Sequence, residues 1–98
     1  MIAYRFLSPA EEEMTEAALF YESALVGLGT DFLNDVERAV NRVLDYPQIG
    51  QPIDGDLRRT LLHRFPFSLI YTISEDGIVI VAVAHYGRTS GYWRSRVN

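Results

Sequence analysis

Residues 57–98 read LRRTLLHRFPFSLIYTISEDGIVIVAVAHYGRTSGYWRSRVN, and this stretch decides the fold. Phe67, Leu69, Tyr71 and Ile73 alternate with Ser68, Thr72 and Ser74, the period of two that marks a half-buried strand, with Ile70 as the exception. Glu75-Asp76-Gly77 predicts a hairpin turn. Residues 78–84, IVIVAVA, are apolar at every position, as in a central strand covered on both faces. Upstream, from Arg58, Leu61, Leu62 and Phe65 predict another strand of mixed facing. After the hairpin comes a tail in which Arg88, Tyr92, Trp93, Arg94 and Arg96 are concentrated. Trp and Arg placed at a chain end suit a surface that touches something.

Working outward, residues 2–7 alternate weakly and read as a short strand. Ser8-Pro9-Ala10-Glu11 predicts a helix start, with Ser8 as N-cap, Pro9 in the first turn and Glu11 completing a capping box. Glu11, Glu12 and Glu13 also suit the positive end of the helix dipole and read as a solvated cap. Met14, Ala17, Ala18, Tyr21, Leu25 and Leu28 keep three-to-four spacing and define the buried face. Gly27 and Gly29 interrupt the pattern, and Thr30 or Asp31 can cap a second helix facing inward through Phe32, Val36, Val40, Val43 and Leu44. Pro47 ends that helix, and residues 48–55 read as a loop. The expectation is one α+β domain over residues 1–98 in the order β-α-α-β-β-β. Its helical hairpin packs on a small, mainly antiparallel sheet.

The central strand carries a consequence. Two helices cover one face of a small sheet, yet Val79, Val81 and Val83 need cover on the face opposite Ile78 and Ile80. Either the tail folds over them or a partner does, and a partner is the expected cover.

Composition bounds the chemistry. With 48% hydrophobic and 22% charged residues the chain resembles an ordinary soluble globule, and no run approaches the ~20 apolar residues of a membrane span. MIAYRFLSP lacks the basic and apolar regions of a secretory signal, and there is no cysteine, so a cytoplasmic location is expected. The net charge of −4 is unevenly spread: residues 1–56 hold three arginines against eleven acids, residues 57–98 six arginines against Glu75 and Asp76. There is no lysine. The separation of sign predicts a basic face for an acidic partner or nucleic acid.

His63 and His85 stand alone and no thiolate exists, so no metal site is expected; the two histidines read as partly buried and bonded to neighbours. Gly27-Leu28-Gly29 follows a helix rather than a strand and is no phosphate loop. No cofactor is expected. What remains is Arg59, Arg64, His85, Arg88, Tyr92, Trp93 and Arg94. Such residues can pack a tail onto a sheet, form a protein-binding hot spot, or cleave RNA by metal-free proton transfer with arginine stabilising the phosphate.

The stretch RRTLLHRFPFSLIYTISEDGIVIVAVAHYGRTSGYWRSR, with SPAEEEMTEAALFYE before it, resembles the RelE/ParE superfamily of toxins from bacterial type II toxin–antitoxin systems. The FPFSLIY and IVIVAVAHYGR strands and the GYW-R ending carry the resemblance over essentially the whole chain. It implies a small toxin that arrests growth, serves plasmid stabilisation, and is neutralised in a hetero-oligomer by a cognate antitoxin. It also implies one of two targets. RelE-like members are ribosome-dependent mRNA endoribonucleases, whereas ParE-like members inhibit DNA gyrase without being enzymes. The ribonuclease pattern would use Arg59, Arg88 and Tyr92 here, but Leu61 and Ser68 stand where it has basic residues, and the isoelectric point near 5.0 is low for a ribosome ligand. The ParE-like reading is therefore preferred, with the ribonuclease and an inactive antitoxin-binding remnant as alternatives. It assigns Arg64, His85, Arg88, Tyr92, Trp93 and Arg94 to the target and Val79, Val81 and Val83 to the antitoxin. No membrane contact is expected.

Overall fold

The computed structural model describes residues 3–97, so the expected first strand residue, Ile2, lies outside the described residues. The order is β1 (Ala3–Phe6), α1 (Ser8–Ala24), α2 (Leu28–Asp45), β2 (Gln51–Asp54), β3 (Leu57–Leu61), β4 (Phe67–Ser74), β5 (Gly77–His85) and a short 3-10 turn at Arg94–Arg96. The strands form one sheet ordered β1-β5-β4-β3-β2, with β1 parallel to β5 and the other neighbours antiparallel. The α+β architecture with a helical hairpin on a mainly antiparallel sheet is the expected one. It holds one strand more than expected: β2 lies within the segment read as a loop, and its register is irregular between Pro52 and Asp54. Its four residues are mostly exposed at the sheet edge, where Pro is tolerated and alternation is not enforced.

Both helix starts differ from the capping read in the sequence. Helix α1 begins at Ser8 itself, with Leu7 as the cap residue and no side-chain cap hydrogen bond. The Leu7 carbonyl accepts from the Glu11 N–H instead. Helix α2 begins at Leu28, so Thr30 and Asp31 lie inside it rather than capping it. Its cap residue is Gly27 at φ +90°, a left-handed conformation that glycine adopts without a Cβ clash. The Glu22 carboxylate, reaching back from α1, accepts from the Gly27 and Gly29 N–H groups and satisfies donors that a helix start leaves open.

Between the hairpin and the sheet lies the larger core. Ala18 of α1 and Phe32, Val36, Ala39, Val40 and Val43 of α2 pack on Phe67, Leu69, Tyr71, Ile78, Ile80 and Val83, while Leu25, expected in the buried face, is 63% exposed just past the helix end. Tyr71 reaches through to the α2–β2 connection, donating to the Pro47 carbonyl and accepting from the Gly50 N–H. Burial pushes its pKa up, and its hydrogen bond from Gly50 and the nearby Arg58 act against that.

The second face of the sheet is also closed from within the chain. Leu57, Ile70, Val81, Ala82, Ala84 and Trp93 form a smaller cluster beneath the tail. A bulge in β5 explains its membership: Ile70 pairs with Ala82 and Tyr71 with Ile80, so Val81 is the extra residue and the alternation flips. The three valines expected on one open face are therefore divided. Val81 (0% exposed) and Val79 lie under the tail, and Val83 (2%) faces the helices. Val81 and Val83 are covered from within the chain, whereas Val79 is only partly buried and lines a shallow depression beside Ala3, Tyr4 and Arg5, so the three do not form one open face. Gly77, at φ +138°, starts β5 where a Cβ would lie 2.1 Å from the Ala3 carbonyl oxygen, so a side chain there would part β1 from its neighbour.

Candidate functional site

Strand β1 ends early, and the site grows from that fact. The Leu7 N–H still donates to the Ile80 carbonyl, but the chain then turns away into α1 and leaves the rest of that β5 edge without a strand neighbour. Unpaired backbone groups at such an edge need partners. Glu13 and Arg96 supply them: Glu13 Oε1 accepts from the Val83 N–H at 3.1 Å, and Arg96 Nη1 donates to the Val81 carbonyl at 3.0 Å. The two side chains also pair with each other, at 2.8 Å and 3.2 Å, with 15% and 17% of their side-chain surfaces exposed. Tyr92 completes the group by donating its hydroxyl to Glu13 Oε2. Glu13, read from the sequence as a solvated cap, is thus the residue that fastens the tail.

This environment bears on the chemistry available to Tyr92. Burial, the hydrogen bond to Glu13 and that carboxylate's charge push its pKa well above the ordinary tyrosine value, with Arg96 and Arg88 opposing. Its ring carries the Arg88 guanidinium at 4.0 Å on one contact and that of Arg96 at 5.0 Å on another. The hydrogen bond to Glu13 likewise raises the Arg96 pKa. A tyrosine held in this way is a poor source of the phenolate a general base would need.

Two depressions flank His85 and Arg88. The first, of about 280 Å³, runs between α1 and the sheet and includes Glu13, Glu16, Phe20, Val83 and Tyr92. The second, of about 340 Å³, lies on the other side and includes Arg59, Leu61, Ser68, Tyr86 and Trp93. Leu61 and Ser68 are cross-strand partners there, so two uncharged side chains line the cleft together with Arg59 and Arg88. Arg59 donates to Gln51 Oε1 at 3.2 Å. Trp93 is buried, and its indole Nε1–H has no acceptor. A buried donor without a partner costs about 1–3 kcal/mol.

The residues expected at a target surface are therefore not one patch. Arg59, His85, Arg88 and Trp93 share the second cleft, and Tyr92 lies in the first. Arg64 instead pairs with Asp31 of α2, and Arg94 with Asp54 of β2, both well exposed. Both histidines are exposed rather than partly buried; His85 Nδ1 accepts from the Gly87 N–H at 2.8 Å and so shapes the turn after β5. Among the described residues no group of three His, Asp or Glu side chains could hold a metal ion, and no helix is long and apolar enough to cross a membrane. Glu13 and Tyr86 were not singled out for the site from sequence, and Arg96 only as part of the tail, without its pairing to Glu13. Their roles depend on pairings between distant segments.

These features define a small α+β domain with a helical hairpin on a five-stranded sheet, and comparison with solved structures agrees on that fold. The chain is similar to one described as the chromosomal ParDE TA system from P. aeruginosa, at 22% identity and a TM-score of 0.64, covering 87% of this chain and 96% of that one. A family model described as the ParE toxin of the type II toxin–antitoxin system parDE matches residues 4–89, and the chain belongs to that family. No curated protein matches the sequence significantly.

Proposed function

We propose that this ParE-family toxin acts by binding DNA gyrase rather than by cleaving RNA, and that a cognate antitoxin silences it by forming a hetero-oligomer in the cytoplasm. The observation that carries the reading is the Leu61–Ser68 pair. It places uncharged side chains in the cleft where an RNA-cleaving relative would hold basic ones, so a phosphate there would meet fewer cations. The engaged, hard-to-ionise Tyr92 supports the same conclusion. An antitoxin has other surfaces than the central valines: Leu19 and Phe20 on the outside of α1, and Leu25 and Val26 at the hairpin, are exposed apolar residues suited to an amphipathic helix. In a supercoiling assay with purified gyrase, micromolar toxin is expected to inhibit and stoichiometric antitoxin to relieve the inhibition. Unimpaired supercoiling at that concentration would sink the reading.

The ribonuclease alternative keeps one favourable observation, that Arg59 and Arg88 line the same cleft. It requires cleavage of ribosome-bound mRNA that Arg88→Ala abolishes.

A further inference from the structure

The depression between α1 and the sheet has a rim of two opposite signs. On its α1 side Glu16, Leu19, Phe20 and Ser23 keep three-to-four spacing and form one exposed ridge. Leu19 and Phe20 are 66% and 67% exposed there. On the other side stand His85 and Arg88, both exposed. Ala17, Tyr21, Phe67 and Val83 form an apolar floor between the two sides. Among the described residues neither Glu16 nor Arg88 has an ion-pair partner, whereas Glu13 nearby is held by Arg96. Stacking on Tyr92 occupies the face of the Arg88 guanidinium and leaves its N–H edge for a carboxylate.

Such a rim suits neither a uniformly acidic ligand, which would meet Glu16, nor a uniformly basic one, which would meet Arg88. It matches its own image. A two-fold rotation lays the acidic side of one copy over the basic side of the other, and the reverse. We propose that this depression is the contact of a two-fold symmetric homodimer. Each copy lays its Glu16–Phe20 ridge across the other's depression. Glu16 meets the partner's Arg88, Phe20 covers the partner's apolar floor, and symmetry makes both contacts twice. The net charge of −4 on each copy opposes association mainly at long range, where salt screens it. The ridge includes Leu19 and Phe20, proposed above to receive an antitoxin helix, so the dimer and that complex exclude one another. The dimer does not rest on that reading, since it needs no second protein.

Sedimentation equilibrium of the whole chain over a wide concentration range tests this. The weight-average mass is expected to rise from the 11.2 kDa of one chain towards twice that at high micromolar concentration, as a small interface allows. Glu16→Arg, Arg88→Glu and Phe20→Ser should each weaken the dimer about tenfold or more, because symmetry repeats every lost contact. Mixing the Glu16→Arg and Arg88→Glu chains should restore association to within about threefold of the original, since the mixed pair sets opposite charges at both contacts. All three positions are exposed, and unchanged melting temperatures will show that the variants fold. Phe20→Ser keeps the test open should Arg88→Glu disturb the tail. A chain that stays monomeric throughout overturns the proposal and leaves the depression to a different protein. So does a dimer indifferent to all three substitutions, or a mixture of the two charge variants that associates no more tightly than either alone.

Discussion

The helix-covered face of the sheet and the tail-covered face bury the same kinds of residue by different means. On the first, two helices bring a continuous apolar surface, with Tyr21, Phe32, Phe65 and Phe67 stacked edge-to-face or tilted at centroid distances of 4.8–6.3 Å. On the second, Trp93 is the buried tail residue, with Leu7, Ile53 and Tyr92 packed at the margins, and a hydrogen-bonded ion pair holds the tail in place. Non-directional burial tolerates small displacements, whereas a staple of directional contacts fails when one partner is removed. The first face should therefore resist substitution in a graded way, and the second should respond at a few positions only.

The sharpest way to break the comparison is Val81→Asp. It places a charge at a fully buried position under the tail, should cost several kcal/mol, and is expected to unfold a domain of this size. A soluble variant with a cooperative melt would show that the second face opens freely. On the first face, Phe32→Ala is expected to cost about 3–5 kcal/mol in urea unfolding, because the aromatic cluster cannot close over the lost ring.

Glu13→Ala should come next, at about 3 kcal/mol, near the low end for a buried pair since both partners keep some exposure. Arg96→Ala in that background should then cost much less than it does alone; additive losses in the cycle would mean that the staple is not a unit. Alkaline pH probes both faces together. Burial raises the pKa of Tyr21, Tyr71 and Tyr92 above the ordinary 10.0, so their contribution is fully present below about pH 10 and is lost as pH rises beyond it. Stability should fall there by up to about 1.4 kcal/mol per pH unit for each tyrosine, and Tyr92→Phe should flatten the slope. The smallest effect belongs to Arg94→Ala, whose exposed pair with Asp54 should contribute about 1 kcal/mol at most.

How far the sequence could be read follows the same division. Helix α2 and strand β4 were legible because burial of one face imposes a period, and strand β5 because burial of both faces leaves an unbroken apolar run. Strand β2 was not, since a four-residue edge strand with a proline and little burial leaves no period to find. The bulge at Val81 was hidden by a different cause. In a run of Ile, Val and Ala every position is apolar, so a one-residue slip changes which residues face the helices without changing the pattern. Arg88 and Trp93 were legible as site candidates from their residue types alone. Glu13 was not, because a glutamate in the first turns of a helix already has a local explanation. The helix starts misled for a related reason: Ser8 and Thr30 or Asp31 are good caps locally, but Leu7 is the cap residue of α1 and the Glu22 carboxylate of the preceding helix serves the start of α2.

The Glu13–Arg96 contact joins residues 83 apart, and β1 pairs with β5 over a similar distance, from Ala3 to Gly77. Contacts this far apart in sequence cannot form until both segments have been made, and topologies dominated by them fold slowly. On the ribosome, the helical hairpin can assemble from its own neighbours while the sheet still lacks its central strand. The tail and the cleft beside it take shape only once the final turn has emerged. A chain built in this order completes its hairpin before its cleft, so a partner that recognises the hairpin alone can engage the chain before the cleft exists.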